Sequence, residues 1–521
     1  MTDVQQHLGL KAILALAILS LAEPGFAQHS PKDIITYPPL NRIETPRIVE
    51  ATLKNGMRLL LVEDSQYPTI DMRAMVHTGS VYEPPDKVGL AGMTGTVMRT
   101  GGSGRFPGDE LDKLLETLGA AVETGIGQTS GYVYVSLLQE DVAQGLAVLA
   151  DLLMDPAFPQ EKIDLAKIEQ KSQIARRNDD VGQIAGREFA RLIYGQDNVY
   201  ARNTEYATIE AITRDDLVAF HGRFFHPNNV ILAAWGNFKA KDMQRQIAAA
   251  FANWKLQQLD IPKPPPVDYR FDYSVNYVDK PDVNQSNILL GHIGTTMDNP
   301  DYPALVVMNH ILSWERMFKR VRSDEGLAYS VWGYFGADYD HPGSFSAGCQ
   351  TKSESTVKAI RLMLEEIRKI QNTEVTDDEL GRSKDQYLNG FVFNFDSRGK
   401  IVERQMNYAF YGFAKDFAEQ VKAGVERVTK TDVLRVAKAY LQPDQVRILV
   451  VGRQQDFDEP LASLGQVTVI DIAIPQPAAA VAAATPRRPP PKAGRCWTRP
   501  WRPWEARRPS SGSRVPGRRP K

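Results

Sequence analysis

The sequence repeats itself at an offset of 216 residues, and this repeat constrains the fold more than any other feature. Residues 212–236 and 428–452 both read as a Thr helix cap, an amphipathic helix, a proline-marked turn and an apolar strand that ends in Gly. The register holds from Pro227 against Pro443 to Gly236 against Gly452. Chance similarity of two amphipathic helices would not keep register over that length, so the sequence predicts two copies of one unit.

Each copy opens with strands and continues with helices. Residues 57–62 and 70–76 are apolar-rich runs, and 286–292 plays the same part in the second copy. Helices follow, for example at 109–118 and 142–153. We therefore predict an α+β fold of two homologous domains, each an antiparallel sheet with helices packed on it.

One break separates the two copies. Residues 262–266 contain four prolines in five positions, which cannot continue a helix and favour an extended connector. The predicted organisation is, in chain order, a signal peptide at 1–27, an N-terminal extension at 28–45, an N-terminal domain at 46–255, a Pro-rich linker at 256–267, a C-terminal domain at 268–474 and a disordered Ala/Pro/Arg-rich tail at 475–521.

The first 27 residues have the pattern of a secretory signal peptide. Lys11 precedes the apolar run 12–22, and Pro24, Gly25 and Ala27 follow it. This run is too short for a bilayer core, which needs ~20 residues, but it fits the apolar region of a signal peptide. A buried N-terminal helix is the alternative. We expect cleavage near Ala27 and a periplasmic or secreted protein.

The net charge of -1 is a cancellation between an acidic body and a basic tail. Residues 486–521 hold ten Arg and two Lys against one Glu, a net charge of +11, and residues 28–485 carry -11. The tail composition cannot form a packed core, so we predict disorder. Three interpretations of the tail stay open: a solvated tail, a contact with a membrane surface or a partner, and a frame-shifted C-terminus that is not native. We expect no nucleic-acid binding by a secreted protein.

Cysteine and histidine residues supply no metal-binding pattern. The two cysteines, Cys349 and Cys496, cannot build a disulfide framework or a cysteine zinc site. No two of the eight histidines have the His-x-x-x-His spacing of a helical zinc site. His221 and His226 flank two phenylalanines, so we interpret them as the rim of a packed helix end.

Three motifs resemble the insulinase/pitrilysin family of zinc metallopeptidases. In chain order they are Asn55-Gly56-Met57-Arg58, the stretch 78–91 (TGSVYEPPDKVGLA) and the stretch from His226-Pro227-Asn228-Asn229 to Gly236. The resemblance covers both copies, from about residue 46 to about residue 452. It implies two homologous α+β domains that close as a clamshell around an unfolded peptide, which agrees with the internal repeat.

Active members of that family continue the Gly-Leu-Ala stretch into His-x-x-Glu-His, in which the two His bind zinc and the Glu is the general base. The corresponding residues of this sequence are Gly92, Gly95 and Thr96, and the family's third ligand, a Glu further along the chain, corresponds to Gln173. None of these side chains is a zinc ligand. The resemblance therefore implies a degenerate zinc site and no cofactor in this chain.

The second copy keeps the family's other active-site element, an Arg and a Tyr seven residues apart, at Arg322 and Tyr329. A guanidinium and a phenol hydroxyl can both donate to a carbonyl that becomes an oxyanion. The alternative is a packed turn with Tyr329 in the core and Arg322 as a solvated helix residue. We interpret Asp324 and Glu325 as part of a solvated turn.

Some members of the family are two-chain enzymes, in which one subunit carries His-x-x-Glu-His and a zinc-free subunit supplies the Arg/Tyr pair. The sequence resembles the zinc-free kind. We predict a non-catalytic subunit of a heteromeric metallopeptidase, with zinc in a homologous partner and an unfolded peptide held along exposed strand edges. The acidic body would favour basic peptides. Two alternatives stay open: a peptide-binding or structural scaffold without peptidase activity, and a self-sufficient zinc endopeptidase, against which the missing His residues argue.

Overall fold

The computed structural model describes residues 45–476, so the predicted signal peptide, most of the N-terminal extension, nearly all of the basic tail and Cys496 lie outside the described residues. The described residues up to Ile474 belong to one compact unit. It contains two six-stranded sheets, one from each copy of the repeat.

The first sheet is built from residues before the Pro-rich linker. Its strands lie in the spatial order β1-β2-β6-β3-β5-β4. The elements of this half are β1 Ile48–Thr52, β2 Arg58–Glu63, β3 Thr69–Val76, α1 Leu90–Gly101, α2 Gly108–Leu118, β4 Ala121–Ile126, β5 Gly131–Leu138, α3 Val142–Met154, α4 Gln160–Arg176, α5 Val181–Tyr194, α6 Tyr206–Ala211, α7 Arg214–Phe224, β6 Val230–Gly236 and α8 Ala240–Ala250.

The second sheet is built from residues after the linker, in the order β10-β12-β8-β13-β7-β14. None of the helices between residues 45 and 476 is both long enough and apolar enough to cross a membrane. The elements are β7 Ser274–Asp279, β8 Gln285–Ile293, β9 Thr295–Thr296, α9 Tyr302–His310, a π-helix Ile311–Asp324, β10 Ala328–Phe335, β11 Ala337–Asp338, β12 Ser344–Lys352, α10 Thr356–Asn372, α11 Asp377–Gly390, α12 Arg398–Tyr411, α13 Phe417–Arg427, α14 Lys430–Tyr440, β13 Arg447–Gly452 and β14 Val467–Val469.

The two sheets repeat one another strand for strand. The order β2-β6-β3-β5-β4 of the first sheet corresponds to β7-β13-β8-β12-β10 of the second. Thr213 and Thr429 cap α7 and α14 with the same reciprocal hydrogen bonds to Asp216 and Asp432. The strands and helices predicted from apolar patterns lie within one residue of their observed bounds. The predicted α+β fold of two homologous domains is confirmed.

The sheets are mixed and not purely antiparallel. Most neighbouring strands are antiparallel, as predicted, but β2–β6, β7–β13 and β14–β7 are parallel. A parallel pair needs a long crossover connection, and the chain runs through most of the helices of each half between β2 and β6 and between β7 and β13. The repeat explains why the two halves share this departure from the prediction.

Each sheet is buried on both faces. In β2, Leu59 and Leu61 face the core that the helices of the same half cover, whereas Leu60 and Val62 face the opposite side. Successive strand residues point to opposite faces, so an unbroken apolar run predicts cover on both sides. The opposite side of the first sheet is covered by α12, which belongs to the second half, through Val402, Met406 and Phe410.

The second sheet is covered in the same way by a helix of the first half. Ile184, Phe189 and Ile193 of α5 pack against Leu449 and Val451 of β13. The two halves therefore exchange one helix each. Two ion pairs fix α12 on the first sheet: Arg73 with Glu403 at 2.9 Å, and Arg398 with Asp64 at 3.0 Å.

The Pro-rich linker forms neither helix nor strand. Ile261, just before the proline run 262–266, packs against the core of the first half, and Val267, just after it, packs against the cluster around α5. The proline run is thereby attached on both sides.

Shortening a buried side chain of the exchanged helix α5 should destabilise the protein. Ile184→Ala removes a side chain that is 0% exposed, so we expect the free energy of unfolding to fall by about 2–5 kcal/mol. Leu165→Ala on α4 is the matched control, because Leu165 is 58% exposed and its loss should change stability by no more than about 0.5 kcal/mol. Urea unfolding followed by circular dichroism measures both, and equal effects would contradict the packing of α5.

Candidate functional site

Helix α1 carries the three residues that correspond to the zinc-binding motif. It begins after Gly89, whose φ of 107° lies in the left-handed region that glycine adopts without strain. The Glu83 carboxylate accepts hydrogen bonds from the backbone N–H groups of Gly89 and Ala91, at 3.1 and 2.7 Å. Burial raises the pKa of Glu83, while these hydrogen bonds and the charge of Arg202 act in the opposite direction. Glu83 lies within the motif stretch 78–91 but is given no role in the prediction. It caps the helix.

Gly95 faces strand β4 and leaves no space for a side chain. A Cβ at this position would lie 2.6 Å from the backbone nitrogen of Ile126 and 3.0 Å from the Cα of Gly125. Thr124 Oγ1 donates to the Gly95 carbonyl at 2.5 Å, which ties the helix to the strand. Backbone contact therefore fills the place where active relatives carry the general base.

The other two α1 positions are more open. Gly92 and Thr96 are partly exposed, and Gly92 lines a cleft of about 400 Å³. Gln173 does not line this cleft: its exposed amide donates to Glu169 Oε1 at 3.4 Å. Gln170, one turn earlier on α4, lines the cleft instead. Both glutamines are neutral amides and not zinc ligands.

These positions do not fit a catalytic zinc ion. Zinc takes thiolate, imidazole or carboxylate ligands, and Gly92, Gly95, Thr96 and Gln173 supply none of them. Within residues 45–476, no group of three His, Cys, Asp or Glu side chains could hold a metal ion.

Burial lowers the pKa of His221 to about 3, and its ring stacks on Phe225 at 4.3 Å, as expected for a packed helix end.

The second predicted element, Arg322 and Tyr329, is brought together by the fold. The guanidinium carbon of Arg322 lies 4.7 Å from the centroid of the Tyr329 ring. Tyr329 is 83% exposed, so the alternative that places its ring in the core is wrong. Among the described residues, neither the Arg322 guanidinium nor the Tyr329 hydroxyl has a hydrogen-bond partner. Both groups are available to a ligand.

A short turn positions the pair. The π-helix ends with hydrogen bonds from Gly326 N to the Arg322 carbonyl and from Leu327 N to the Val321 carbonyl, at 3.1 and 3.0 Å. Gly326 has a φ of +66°, a conformation that favours glycine. The pairing of β10 with β12 shifts register across Tyr329, which makes this residue a β-bulge. Bulges at sheet edges re-aim side chains, and this one leaves Tyr329 exposed beside Arg322.

Glu325 is partly exposed on the predicted turn and stabilises it through two ion pairs. It pairs with Lys358 at 2.7 Å and with Arg320 at 2.6 Å. The hydrogen bond from Lys358, and after it that from Arg320, lowers the pKa of Glu325. Asp324 is exposed, in agreement with the prediction.

Two further aromatic residues extend the Arg/Tyr pair. The rings of Trp314 and Phe318 lie 5.0 Å apart, and the Arg322 guanidinium lies 4.8 Å from the Phe318 ring. Trp314, Phe318, Arg322 and Tyr329 therefore form one continuous row, which we call the aromatic ladder. Trp314 is 56% exposed. The only sequence signal for these two rings is their spacing of four and eight residues before Arg322.

The two elements occupy equivalent places in the repeat. Helix α1 packs against edge strand β4, and the π-helix packs against β10, its counterpart in the second sheet. Arg99 of α1 donates from Nε to the Val122 carbonyl of β4 at 2.6 Å. The repeat thus has two candidate sites of one architecture, of which the first lacks metal ligands and the second presents two hydrogen-bond donors.

Side chains of two helices also form hydrogen bonds with backbone groups of strand β10. Ser313 Oγ accepts from Gly333 N at 3.2 Å, and the Asn309 side chain bonds both the N–H and the C=O of Phe335. These groups, like the Val122 carbonyl of β4, are not free to pair with a peptide. For the remaining edge groups of these strands, the expectation that exposed strand edges hold the peptide stays a prediction.

Two family models match the chain. The model described as "Insulinase (Peptidase family M16)" matches residues 58–189. The model described as "Peptidase M16 inactive domain" matches residues 211–387. Together the matches cover strands of both sheets, the helix α1 and the aromatic ladder.

Individual relatives agree with these models. An uncharacterised zinc protease of Streptomyces coelicolor is 25% identical over 403 residues, which cover 75% of this chain and 86% of the relative. An Arabidopsis thaliana protein named "Probable mitochondrial-processing peptidase subunit beta, mitochondrial" is 23% identical over 446 residues, 80% of each chain. The crystal structure of a peptidase M16 inactive domain from Pseudomonas fluorescens has a TM-score of 0.70 at 22% identity and covers 80% of this chain and 99% of that chain. At this identity the structural likeness shows the fold alone.

Two glycine substitutions on α1 should have opposite effects on stability. In Gly92→Ala the new methyl group meets no atom within 4 Å, so the better helix propensity of alanine should raise the free energy of unfolding by about 0.5–1 kcal/mol. In Gly95→Ala the methyl group would meet the Ile126 backbone, so the free energy of unfolding should fall by about 1–3 kcal/mol. Urea titration measures both. A neutral Gly95→Ala would show that α1 does not rest on β4 as described.

Proposed function

The chain belongs to the insulinase family, peptidase family M16, and we propose that it is a zinc-free subunit of a heteromeric peptidase. In this proposal a homologous partner carries His-x-x-Glu-His, the zinc ion and the attacking water. This chain contributes Arg322 and Tyr329, which bind the substrate peptide and stabilise the charge that develops on its carbonyl oxygen. The proposal places the complex in the periplasm or outside the cell.

The single observation that carries the proposal is the asymmetry between the two candidate sites. The positions of the zinc ligands and of the general base hold two glycines, a threonine and an amide, and Gly95, at the position of the base, is packed against a strand. The partly exposed Arg322 and the exposed Tyr329 lie side by side, and neither the guanidinium nor the hydroxyl has a hydrogen-bond partner among the described residues. Two unpaired donors at one place suit an acceptor supplied from outside the chain.

The chemistry of the two donors fits a peptide carbonyl. A guanidinium keeps its charge at any physiological pH, and a phenol hydroxyl donates one further hydrogen bond. A carbonyl oxygen gains negative charge as water attacks, so donors already in place stabilise the transition state more than the substrate. The contact of Arg322 with two aromatic faces restricts its orientation, and this pre-organisation reduces the entropy lost on binding.

The names of the relatives support an assembly of this kind. The Arabidopsis thaliana protein is named as a subunit of a processing peptidase. The second half of this chain matches a model described as an inactive domain. Both descriptions suit a chain that works beside an active one, and they support the partner that we propose.

Removal of either donor should slow turnover and leave assembly intact. We expect Arg322→Ala to lower kcat of the complex by about 100-fold or more, the loss typical for one oxyanion donor. Tyr329→Phe should act in the same direction, since it removes only the hydroxyl. The assay uses the full chain, purified together with a homologous chain that carries His-x-x-Glu-His, and a quenched fluorescent peptide.

The control variants come from the same two elements. Lys319→Ala removes an exposed cation from the π-helix, and Tyr334→Phe removes an exposed hydroxyl from β10. Both should keep the rate of the unaltered complex. Stoichiometric zinc or peptide cleavage by this chain alone would refute the proposal. An active complex that is indifferent to both site variants would leave this chain as a scaffold, which is the alternative function.

A further inference from the structure

A second cavity lies between the two halves, and its lining includes no residue of α1 or of the aromatic ladder. Its volume is about 570 Å³, and we call it the junction cavity. The first half contributes Tyr82 and Tyr200, the second half contributes Tyr269 and Asp340, and Phe410 and Tyr411 come from the end of the exchanged helix α12. The linker residues 263–267 form one side of it. The cavity thus exists only where the repeat, the linker and an exchanged helix meet.

The aromatic rings of the junction cavity are held by stacking. His77 stacks on Phe410 with 3.6 Å between ring centroids, and Tyr200 stacks on His341 at 4.0 Å. The Tyr411 hydroxyl bonds Thr129 Oγ1 at 3.0 Å. Aromatic side chains that are fixed in this way form a binding wall before any ligand arrives, which lowers the entropy lost on binding.

The charged side chains that line the junction cavity are those of Asp340 and Lys263, and the Asp340 carboxylate lies next to His341, whose ring stacks on Tyr200. Asp340 lies 2.7 Å from His341 Nδ1, and Asp338 lies 3.5 Å from the other ring nitrogen, so two carboxylates flank one imidazole. The Asp340 side chain is 30% exposed and can be reached from solvent. Burial, and after it the charge of Asp340, raises the pKa of Tyr82 and raises that of Tyr200 to about 12. The field of Asp340 therefore reaches the tyrosines of the cavity wall.

The Asp338 and Asp340 carboxylates form no ion pair with an arginine or a lysine of the described residues. Within the same part of the chain, no Arg or Lys lies over the ring of Tyr82, Tyr200 or Phe410. Other aromatic rings of the protein do hold an arginine: Arg73 lies over Tyr132 at 4.6 Å. Lys263 of the linker lines the cavity and forms no ion pair with the described residues.

We propose that the junction cavity binds an organic cation, an ammonium or a guanidinium group, between its aromatic walls and the Asp340 carboxylate. Aromatic faces attract cations through their quadrupole, and this attraction is strongest where the cation is partly desolvated. A carboxylate beside such rings adds a direct charge partner. The cation can be a free small molecule or the basic side chain of a peptide, since both offer the same chemistry to the site.

The probe for this site is choline, with 3,3-dimethylbutan-1-ol as its uncharged isostere. Isothermal titration of the full chain should show saturable binding of choline, at least about tenfold tighter than that of the alcohol, because only the cation gains from the rings and the carboxylate. Equal binding of both compounds would identify a merely apolar cavity and overturn the proposal. Absence of binding by choline and by basic peptides would also overturn it.

Variants test whether choline binds in the junction cavity. Asp340→Asn should weaken choline about tenfold, since it removes the charge partner. Asp385→Asn, at an exposed position of α11, should leave binding unchanged. If Asp340→Asn does not fold, Tyr269→Leu decides the question, because Tyr269 is 56% exposed and its loss should weaken choline several-fold without unfolding the chain. An unchanged affinity in either folded variant would overturn the proposal.

Titration with N-acetyl-arginine amide and N-acetyl-lysine amide supplies the second arm. Tighter binding of these than of choline assigns the cavity to basic peptide side chains, and the reverse order assigns it to a small free cation. Both results support cation binding and differ only in its source. The measurement does not involve the peptidase partner, so it stands or fails separately from the proposed function.

Discussion

The burial of two apolar sheets on both faces is the constraint on which the rest of the structure depends. Strands β2, β6 and β13 carry apolar side chains on both sides, and exposure of either side to water would be unfavourable. The helices of each half cover one face only, and the other face is closed by α12 or α5 from the opposite half. Neither half is therefore complete without the other, and residues up to Ile474 form a single compact unit despite the Pro-rich linker.

The repeat determines what the two candidate sites share. Helix α1 rests on β4 as the π-helix rests on β10, so both sites use a helix placed against the edge strand of a sheet. In the first, glycine at position 95 allows helix and strand backbones to touch. In the second, Ser313 and Asn309 bond the strand while a β-bulge turns Tyr329 outward. π-helical turns are rare and are frequently found at functional sites, and the π-helix of this protein lies beside the Arg/Tyr pair.

Local patterns in the sequence predict most of the helices and strands but few of the contacts between them. Period-two apolar runs and the Thr caps at 213 and 429 act within a few residues, so strands, helices and the repeat follow from them. The apolar stripe of α5 predicts a buried face without telling which sheet it covers. The parallel pairing of β2 with β6 depends on a chain return more than 150 residues later. Arg322 and Tyr329 are found through the family motif, whereas Glu83, the ladder residues Trp314 and Phe318, and the junction cavity require the three-dimensional contacts.

The aromatic ladder cannot be explained by stability alone. A large side chain stabilises a fold by leaving water, yet Tyr329 is 83% and Trp314 56% exposed. Single exposed aromatic residues are ordinary, but a continuous row that ends in two unpaired donors is an exposed patch of the kind that marks binding sites. Gly95 is the opposite case, because stability does explain it: its contact with β4 packs the helix on the strand and excludes a catalytic side chain. The first site is therefore filled by backbone packing, whereas the second presents an exposed aromatic row with two donors that are available to a ligand.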